Sequence, residues 1–391
     1  MPLEKKTLPE PSLLSVLWLA LRRIARLPLW AWQSLNQGGW SVRRAAVLML
    51  TIPLLMSWQI INWCFILLDE LLLPGWRKTP LSKPWFIVGI PRSGTTFLQR
   101  SLAKDRAFTT TPLWEALLAP ALSQKYLLWG LAWCLAPLWR KLRGVKLPFL
   151  KQMSAIHELG LQEAEEDFLF LLPMNACFIL VALLPDCEDL FKLAHFDVAL
   201  QADEKQRIMV FYRNCIKKHL YFRAHIESHS QLVYLAKNPS LSPAVLSLQG
   251  QFPDARFIAC LREPEKTLPS QISSLKPAFG LSGYYPSPEF VESCIVMLHF
   301  YYQHLNQVLA RQPNAVFVAM STLKNDLYRF VTQTYKHFSC EMSSDSRAAL
   351  CELAQSSSNY RSEHRYKLSD FGLSEQQVKA RFEEVWPITQ M

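Results

Sequence analysis

The rhythm of hydrophobic and polar positions changes near residue 80. Before it the chain is apolar in long stretches. Ala45 to Leu68 gives 24 consecutive residues without Asp, Glu, Lys, Arg or His. Leu13 to Trp32 interleaves Leu and Trp with Arg22, Arg23 and Arg26, as a basic amphipathic helix does. Beyond residue 80, short β-branched or aromatic runs alternate with helix-compatible stretches, which is α/β punctuation. Strands are predicted at Trp85 to Ile90, Leu232 to Ala236, Ala255 to Leu261 and Ala315 to Met320. Each is followed within a few residues by a helical stretch, so a mostly parallel sheet is expected. A mainly helical insert, about 112 to 230, is too apolar for a flexible connector. The pattern divides the chain into a membrane-contacting helical segment at 1–80 and a catalytic domain at 81–391.

A bilayer's hydrocarbon needs about 20 helical residues, so residues 45–68 are long enough to cross it. Arg43 and Arg44 precede them and Asp69 and Glu70 follow, which for a true span places the N-terminus in the cytoplasm and the rest of the chain outside. Pro53, Thr51, Ser57, Gln59 and Asn62 suit instead a kinked segment docked among headgroups, and a buried core helix would carry the same letters. Twelve of the thirteen tryptophans lie before residue 140, and indole rings favour the headgroup boundary. Leu127 to Trp139, ending in Arg140, Lys141 and Arg143, is similarly greasy. The expectation is contact with a membrane surface through residues 11–75.

Half of the 391 residues are hydrophobic and 19% are charged, which excludes a disordered or low-complexity chain. A formal charge of +10 favours phosphate-bearing ligands or anionic lipid. Nucleic-acid binding has only that charge in its favour, without a basic recognition helix or aromatic RNA-binding signature. The nine cysteines are scattered, and Asn238-Pro239-Ser240 is disqualified as a glycosylation site by its proline. Both features argue against a disulfide framework, a zinc ribbon or an extracytoplasmic chain, and for a reducing compartment.

The strongest local signal is Trp85-Phe-Ile-Val-Gly-Ile-Pro-Arg-Ser-Gly-Thr-Thr-Phe-Leu98: an apolar strand, a glycine-containing turn and the opening of a helix. Backbone N–H groups of such a turn converge on an anion. Gly89 and Gly94 have P-loop spacing, yet Thr95 stands where an NTPase carries lysine. The cation in the loop is Arg92, whose planar fork suits a terminal phosphate or sulfonate.

Ile90 to Leu98 resembles the 5′-phosphosulfate loop of sulfotransferases that use 3′-phosphoadenosine 5′-phosphosulfate (PAPS). Leu235-Ala-Lys-Asn-Pro-Ser-Leu, with Gln251-Phe-Pro-Asp-Ala-Arg-Phe-Ile-Ala-Cys-Leu-Arg-Glu-Pro264 running on to Ser270, resembles the family's 3′-phosphate region. Trp114-Glu115, His157, the run Glu163-Ala-Glu-Glu-Asp167, and His364 to Leu373 are similar to the bacterial branch, itself similar to tyrosylprotein sulfotransferases around the cofactor. The likeness covers roughly residues 84 to 385 and leaves the N-terminal segment outside the core fold. It implies a P-loop-like three-layer α/β fold, with a mostly parallel central sheet, a helical insert and an N-terminal hydrophobic helical segment.

The resemblance implies that Arg92, Ser93, Gly94, Thr95 and Thr96 hold the 5′-phosphosulfate and that Arg262 and Ser270 grip the 3′-phosphate. Pro269, just before Ser270, is a departure that would disturb the helix start. Lys237, at a strand's carboxyl end, where open α/β sheets bind ligands, matches the lysine expected to stabilise the leaving group. For the acceptor's proton, Glu115 lies 23 residues after Arg92, near the family's catalytic glutamate. Trp114 beside it is expected to raise its pKa. His157 is the rival base. The acidic run 163–167 is read as shaping the acceptor site, and His364, Arg365 and Tyr366 as closing over the cofactor.

Together these features describe a PAPS-dependent sulfotransferase needing no metal. It would sulfate a small-molecule or lipid-like acceptor from the cytoplasmic face of a bacterial membrane. A Golgi-type single-pass enzyme is the alternative topology. A P-loop kinase or NTPase, or a non-catalytic membrane scaffold, are the alternative functions.

Overall fold

The computed structural model describes residues 9–142, 163–227, 232–357 and 367–386. One five-stranded sheet organises them: β1 (Trp85–Gly89), β2 (Phe108–Thr109), β3 (Val233–Lys237), β4 (Arg256–Leu261) and β5 (Ala315–Ala319), in the order β2-β3-β1-β4-β5. Every pairing is parallel. β1 is buried along its whole length, which is why it reads as an unbroken apolar run rather than an alternating one. The four strands expected from the pattern are present to within one residue at each end. β2, with two residues, is too short to carry a period and was not anticipated.

The helices that matter for the site are α1 (Leu13–Ala25), α2 (Leu27–Gln37), α3 (Val42–Leu72), α4 (Thr95–Leu102), α5 (Leu113–Leu118), α6 (Leu122–Leu142), α7 (Ala202–Glu227) and α8 (Pro264–Ser274). Ser12 caps α1 by accepting from Ser15 N, and Ser41 caps α3 by accepting from Arg44 N. α4 starts on Gly94, directly beyond the loop that follows β1.

The three N-terminal helices share a core with the sheet. Val16, Trp30, Leu48, Ile52, Trp63 and Ile66 belong to the same buried cluster as Phe86, Phe211 and Phe257, so the core continues across residue 80. The tryptophans divide accordingly. Trp18, Trp32, Trp40, Trp129 and Trp133 are exposed. Trp30 and Trp63 are buried, donating from Nε1 to Asp189 at 2.8 Å and to Pro173 O at 2.9 Å. Arg23 of the basic helix also turns inward, to Glu204 at 2.6 Å and Asn175 O at 2.8 Å.

α3 buries polar side chains together with apolar ones. Its buried face carries Arg44, Gln59, Asn62 and Asp69 beside Leu48, Ile52, Trp63 and Ile66. Its outward face carries Met49 (78% exposed), Leu50 (66%), Leu54, Ile60 and Ile61. Gln59 donates to Leu172 O at 2.8 Å, and Asn62 accepts from Gln124 at 2.9 Å. Asp69 accepts from the first backbone N–H groups of α6, Leu122 at 2.6 Å and Ser123 at 2.7 Å, and pairs with Lys218 at 2.9 Å. A side chain of α3 thus supplies the N-terminal cap of α6. Among the described residues, α3 is the one helix long and apolar enough to cross a membrane.

Asp69→Ala removes that cap and leaves buried Lys218 with only Glu70, 3.9 Å away. It is expected to lower the unfolding free energy by about 3–5 kcal/mol, read from urea denaturation followed by near-ultraviolet circular dichroism.

Candidate active site

β1 ends on Gly89 with φ +131°, where a Cβ would stand 2.1 Å from the carbonyl oxygen of Cys260 in β4. Glycine is therefore required for the two central strands to close on each other. Ser242 brackets the position, its hydroxyl accepting from Gly89 N at 2.8 Å and donating to Gly89 O at 2.6 Å. The chain then turns through Arg92, a non-glycine residue at φ +66°, and Gly94 at φ +90°. Left-handed backbone at an arginine is uncommon and costs about 1–3 kcal/mol, so the surrounding contacts must hold it. Ser93, fully buried, donates to Ile90 O at 2.5 Å and braces the turn. Thr95 and Thr96 open α4.

Two sequence motifs about 170 positions apart meet at this turn. Arg262, immediately after β4, donates from Nη1 to Arg92 O at 2.9 Å. Arg92 Nε donates to Ser270 Oγ on α8 at 3.2 Å. α8 begins at Pro264 and runs through Pro269 to Ser274, so Pro269 does not disturb the helix start as expected from sequence. Lys237, the last residue of β3, donates to Thr96 Oγ1 at 3.1 Å. The same ammonium lies 3.5 Å from Glu165 and 3.5 Å from Glu166. Arg92, Arg262 and Lys237 thus place three cations at the carboxyl ends of β1, β3 and β4, beside the N-terminus of α4, an arrangement suited to a multiply charged anion.

Glu115 occupies a different setting from the one expected. Its side chain is fully buried, with Lys125 Nζ at 3.0 Å, His219 Nδ1 at 2.8 Å and Arg223 Nε at 3.6 Å. Burial pushes the carboxyl up, but Lys125, His219 and Arg223 together outweigh it and hold the pKa down at about 2. The expected rise caused by Trp114 is therefore overturned; Trp114 packs against Phe222 instead, ring centroids 6.2 Å apart. Burial lowers the pKa of His219. As a neutral ring it donates from Nδ1 to Glu115 and accepts at Nε2 from Thr109 Oγ1, 2.9 Å away.

A second buried hub lies next to the acidic run. Asp167 accepts from Tyr212 at 2.7 Å, from Tyr234 at 2.5 Å and from Asn238 Nδ2. Asn238 Oδ1 in turn accepts from Phe168 N at 2.9 Å. Burial raises the Asp167 carboxyl to about 6 despite these donors. Backbone bonds from Leu113 N to Glu163 O and from Glu165 N to Thr111 O, both 3.1 Å, tie the run to the start of α5. Glu165 and Glu166 are consequently held against Lys237. Burial raises the pKa of Glu166, with Lys237 opposing it and Glu165 reinforcing it. Its side chain keeps 26% exposure.

His157, and His364, Arg365 and Tyr366, lie outside the described residues. Sequence reading did not anticipate Lys125, His219 or Arg223 around Glu115, nor Tyr212 and Tyr234 around Asp167. They sit on α6, α7 and β3, all but Lys125 distant in sequence, and no local pattern marks them. Among the described residues no group of three or more His, Cys, Asp or Glu could hold a metal ion.

A sequence model described as "Sulfotransferase family" matches residues 84–321, more than half of the chain. The chain belongs to the sulfotransferase family. No curated protein matches it. Its fold is that of sulfotransferase STF1 from Mycobacterium tuberculosis H37Rv, at 19% identity and TM-score 0.66, with 96% of this chain and 99% of that chain covered. It is also similar to sulfotransferase STF9 from Mycobacterium avium, at 16% identity and TM-score 0.70, with 97% of each chain covered. Coverage this complete leaves no room for α1–α3 to lie outside the shared fold. The sulfotransferase reaction class is sulfuryl transfer.

Glu115→Gln leaves Lys125 buried against an uncharged partner and is expected to destabilise the sulfotransferase by about 3–5 kcal/mol. The depressed pKa of Glu115 adds stability that is fully present above pH 4.5 and is lost as pH falls towards about 2. Acid titration of folding should therefore lose part of its slope in that window in the variant.

Proposed function

We propose that this sulfotransferase moves the sulfuryl group of PAPS to a hydroxyl or amine of an amphiphilic acceptor at a membrane surface. The observation that carries the reading is the meeting of Arg92, Arg262, Ser270, Thr96 and Lys237 around one turn. These residues fit a nucleotide bearing two separate anionic groups. The turn of 92–96 and the N-terminus of α4 hold the 5′ side, while Arg262 and Ser270 hold the 3′-phosphate. When bound, PAPS supplies an activated sulfonate on a phosphate leaving group.

Lys237 neutralises charge at that phosphate, and its bond to Thr96 sets the direction of the ammonium. We assign the proton acceptor to Glu166 rather than to Glu115. At about 2, the Glu115 pKa makes it a weak base, and its carboxylate is enclosed by Lys125, His219 and Arg223. Glu166 has a raised pKa, remains partly open to solvent and stands beside Lys237. Asp167 and Asn238 keep it there. Glu115 then serves as an anchor that seats α5, and with it the acidic run, on α7.

Membrane contact is supported by the outward apolar faces of α1, α3 and α6, with Trp18, Trp129 and Trp133 among them. α3 is read as lying along the interface rather than crossing. Arg44 and Asp69, two of the four charges that would flank a span, are buried in the protein, Arg44 against Ser34 at 2.8 Å and Asp69 against α6. An interfacial α3 leaves the catalytic site on the cytoplasmic side, where PAPS is made available to bacterial enzymes.

Calorimetric titration with 3′-phosphoadenosine 5′-phosphate is expected to show binding that weakens at least about ten-fold in Arg92→Ala and in Arg262→Ala, each removing a charge-assisted contact. Equal binding of ATP with Mg²⁺ would instead return the turn to nucleotide-hydrolysis chemistry. In assays with labelled PAPS and a lipid extract, label should enter the organic phase. Glu166→Gln should slow turnover about 10²–10⁴-fold while leaving nucleotide affinity unchanged. Label confined to water-soluble acceptors would refute the amphiphilic acceptor.

A further inference from the structure

At the opposite end of the sheet is a cavity of about 740 Å³, within the usual size of small-molecule sites, about 300–1,000 Å³. It is bordered by Leu81, four residues before β1, and by Asp254, two before β4, so it lies at the amino ends of strands whose carboxyl ends carry the turn with Arg92. Five-residue strands separate the two places by roughly 15 Å. Its walls come from α1, α3 and α7, and its floor is apolar: Val16, Ile66, Leu81, Phe211 and Phe252.

Charge at this cavity is uneven. Arg77 pairs with Glu70, Arg213 with Glu10, and Lys218 with Asp69. Asp254 is engaged by the backbone N–H of Lys83 at 2.7 Å. Lys217, one turn beyond Arg213 on α7, forms no ion pair among the described residues and donates to the backbone oxygen of Arg77. Burial, and then the neighbouring Arg213, push its pKa down, with Glu10 opposing them. A half-buried ammonium beside a guanidinium, over an apolar floor, is a setting that an anion joined to a hydrocarbon chain would complete.

We propose that this cavity is a second ligand site that takes a single-chain lipid with an anionic head. The head sits on Lys217, beside the Arg213–Glu10 pair, and the chain lies along Val16, Phe211 and Phe252. The site is independent of sulfuryl transfer and shares no residue with the turn of 90–96. It lies between helices whose outer faces are the apolar ones of the protein, a short path for a lipid leaving a bilayer.

The test is photolabelling of the full-length protein in dodecyl maltoside with a diazirine-bearing fatty acid, mapped by mass spectrometry. Label is expected on peptides covering 206–217 and 249–254. Competition by dodecanoate or dodecyl phosphate should be at least ten-fold stronger than by dodecanol, with acetate ineffective, and the better of the two anions identifies the head group. Lys217→Gln should reduce labelling about ten-fold, and Asn214→Trp, filling the cavity from a half-exposed position, should abolish it. Retained binding of 3′-phosphoadenosine 5′-phosphate shows that both variants are folded, and Arg92→Ala should leave labelling unchanged while losing nucleotide. Competition by dodecanol equal to that of the anions would overturn the proposal. So would label confined to the outward faces of α3 and α6 and unaffected by either variant.

Discussion

The close approach of β1 and β4 at Gly89 is the constraint on which the site rests. A Cβ there would stand 2.1 Å from the Cys260 carbonyl oxygen, so these backbones meet only because the side chain is absent. Two positions after Cys260, just past the end of β4, Arg262 emerges at the height of the turn and bonds to Arg92 O. One steric condition thereby brings together two motifs from distant parts of the chain, with their arginines side by side. The left-handed conformation of Arg92 is held in place by Arg262 at its carbonyl and by Ser270 at its guanidinium.

Around this centre, buried polar hubs join the helical insert to the sheet. Glu115 ties α5 to α6 and α7 through Lys125, His219 and Arg223. Asp167 ties the acidic run to β3 and α7 through Tyr234, Asn238 and Tyr212. Buried charges contribute less net stability than their Coulomb attraction implies, because desolvation opposes it, but removing one partner is costly. Such hubs therefore specify one arrangement more than they add stability. Here that arrangement sets Glu165 and Glu166 against Lys237.

The N-terminal helices follow a related logic. α3 turns Gln59, Asn62 and Asp69 inward to cap α6 and to bond the chain near Leu172, and leaves Met49, Leu50, Leu54, Ile60 and Ile61 outside. A helix so committed on one side is not free to be surrounded by lipid, because its inward groups would lose their partners. It shares a core with the sheet through Leu48, Ile52, Trp63 and Ile66.

Local pattern was enough for the strands, because a buried parallel strand must be a continuous apolar run bounded by turns, and four of the five announce themselves that way. The glycine-containing turn after β1 was also legible, since Gly89, Arg92 and Gly94 fall within a few positions of each other. Glu115 shows where such reading ends. Its neighbour Trp114 pointed to a raised pKa, whereas Lys125, His219 and Arg223 lower it, and Arg223 lies more than a hundred residues away. The inward or outward choice of each residue on α3 was likewise invisible, because an apolar run carries no mark of which face a neighbour will cover. Sequence alone determined four of the five strands, the turn and the family. Tertiary structure decided which ionisable groups share a low-dielectric site, because burial and charge pairing depend on distances that only the folded chain sets.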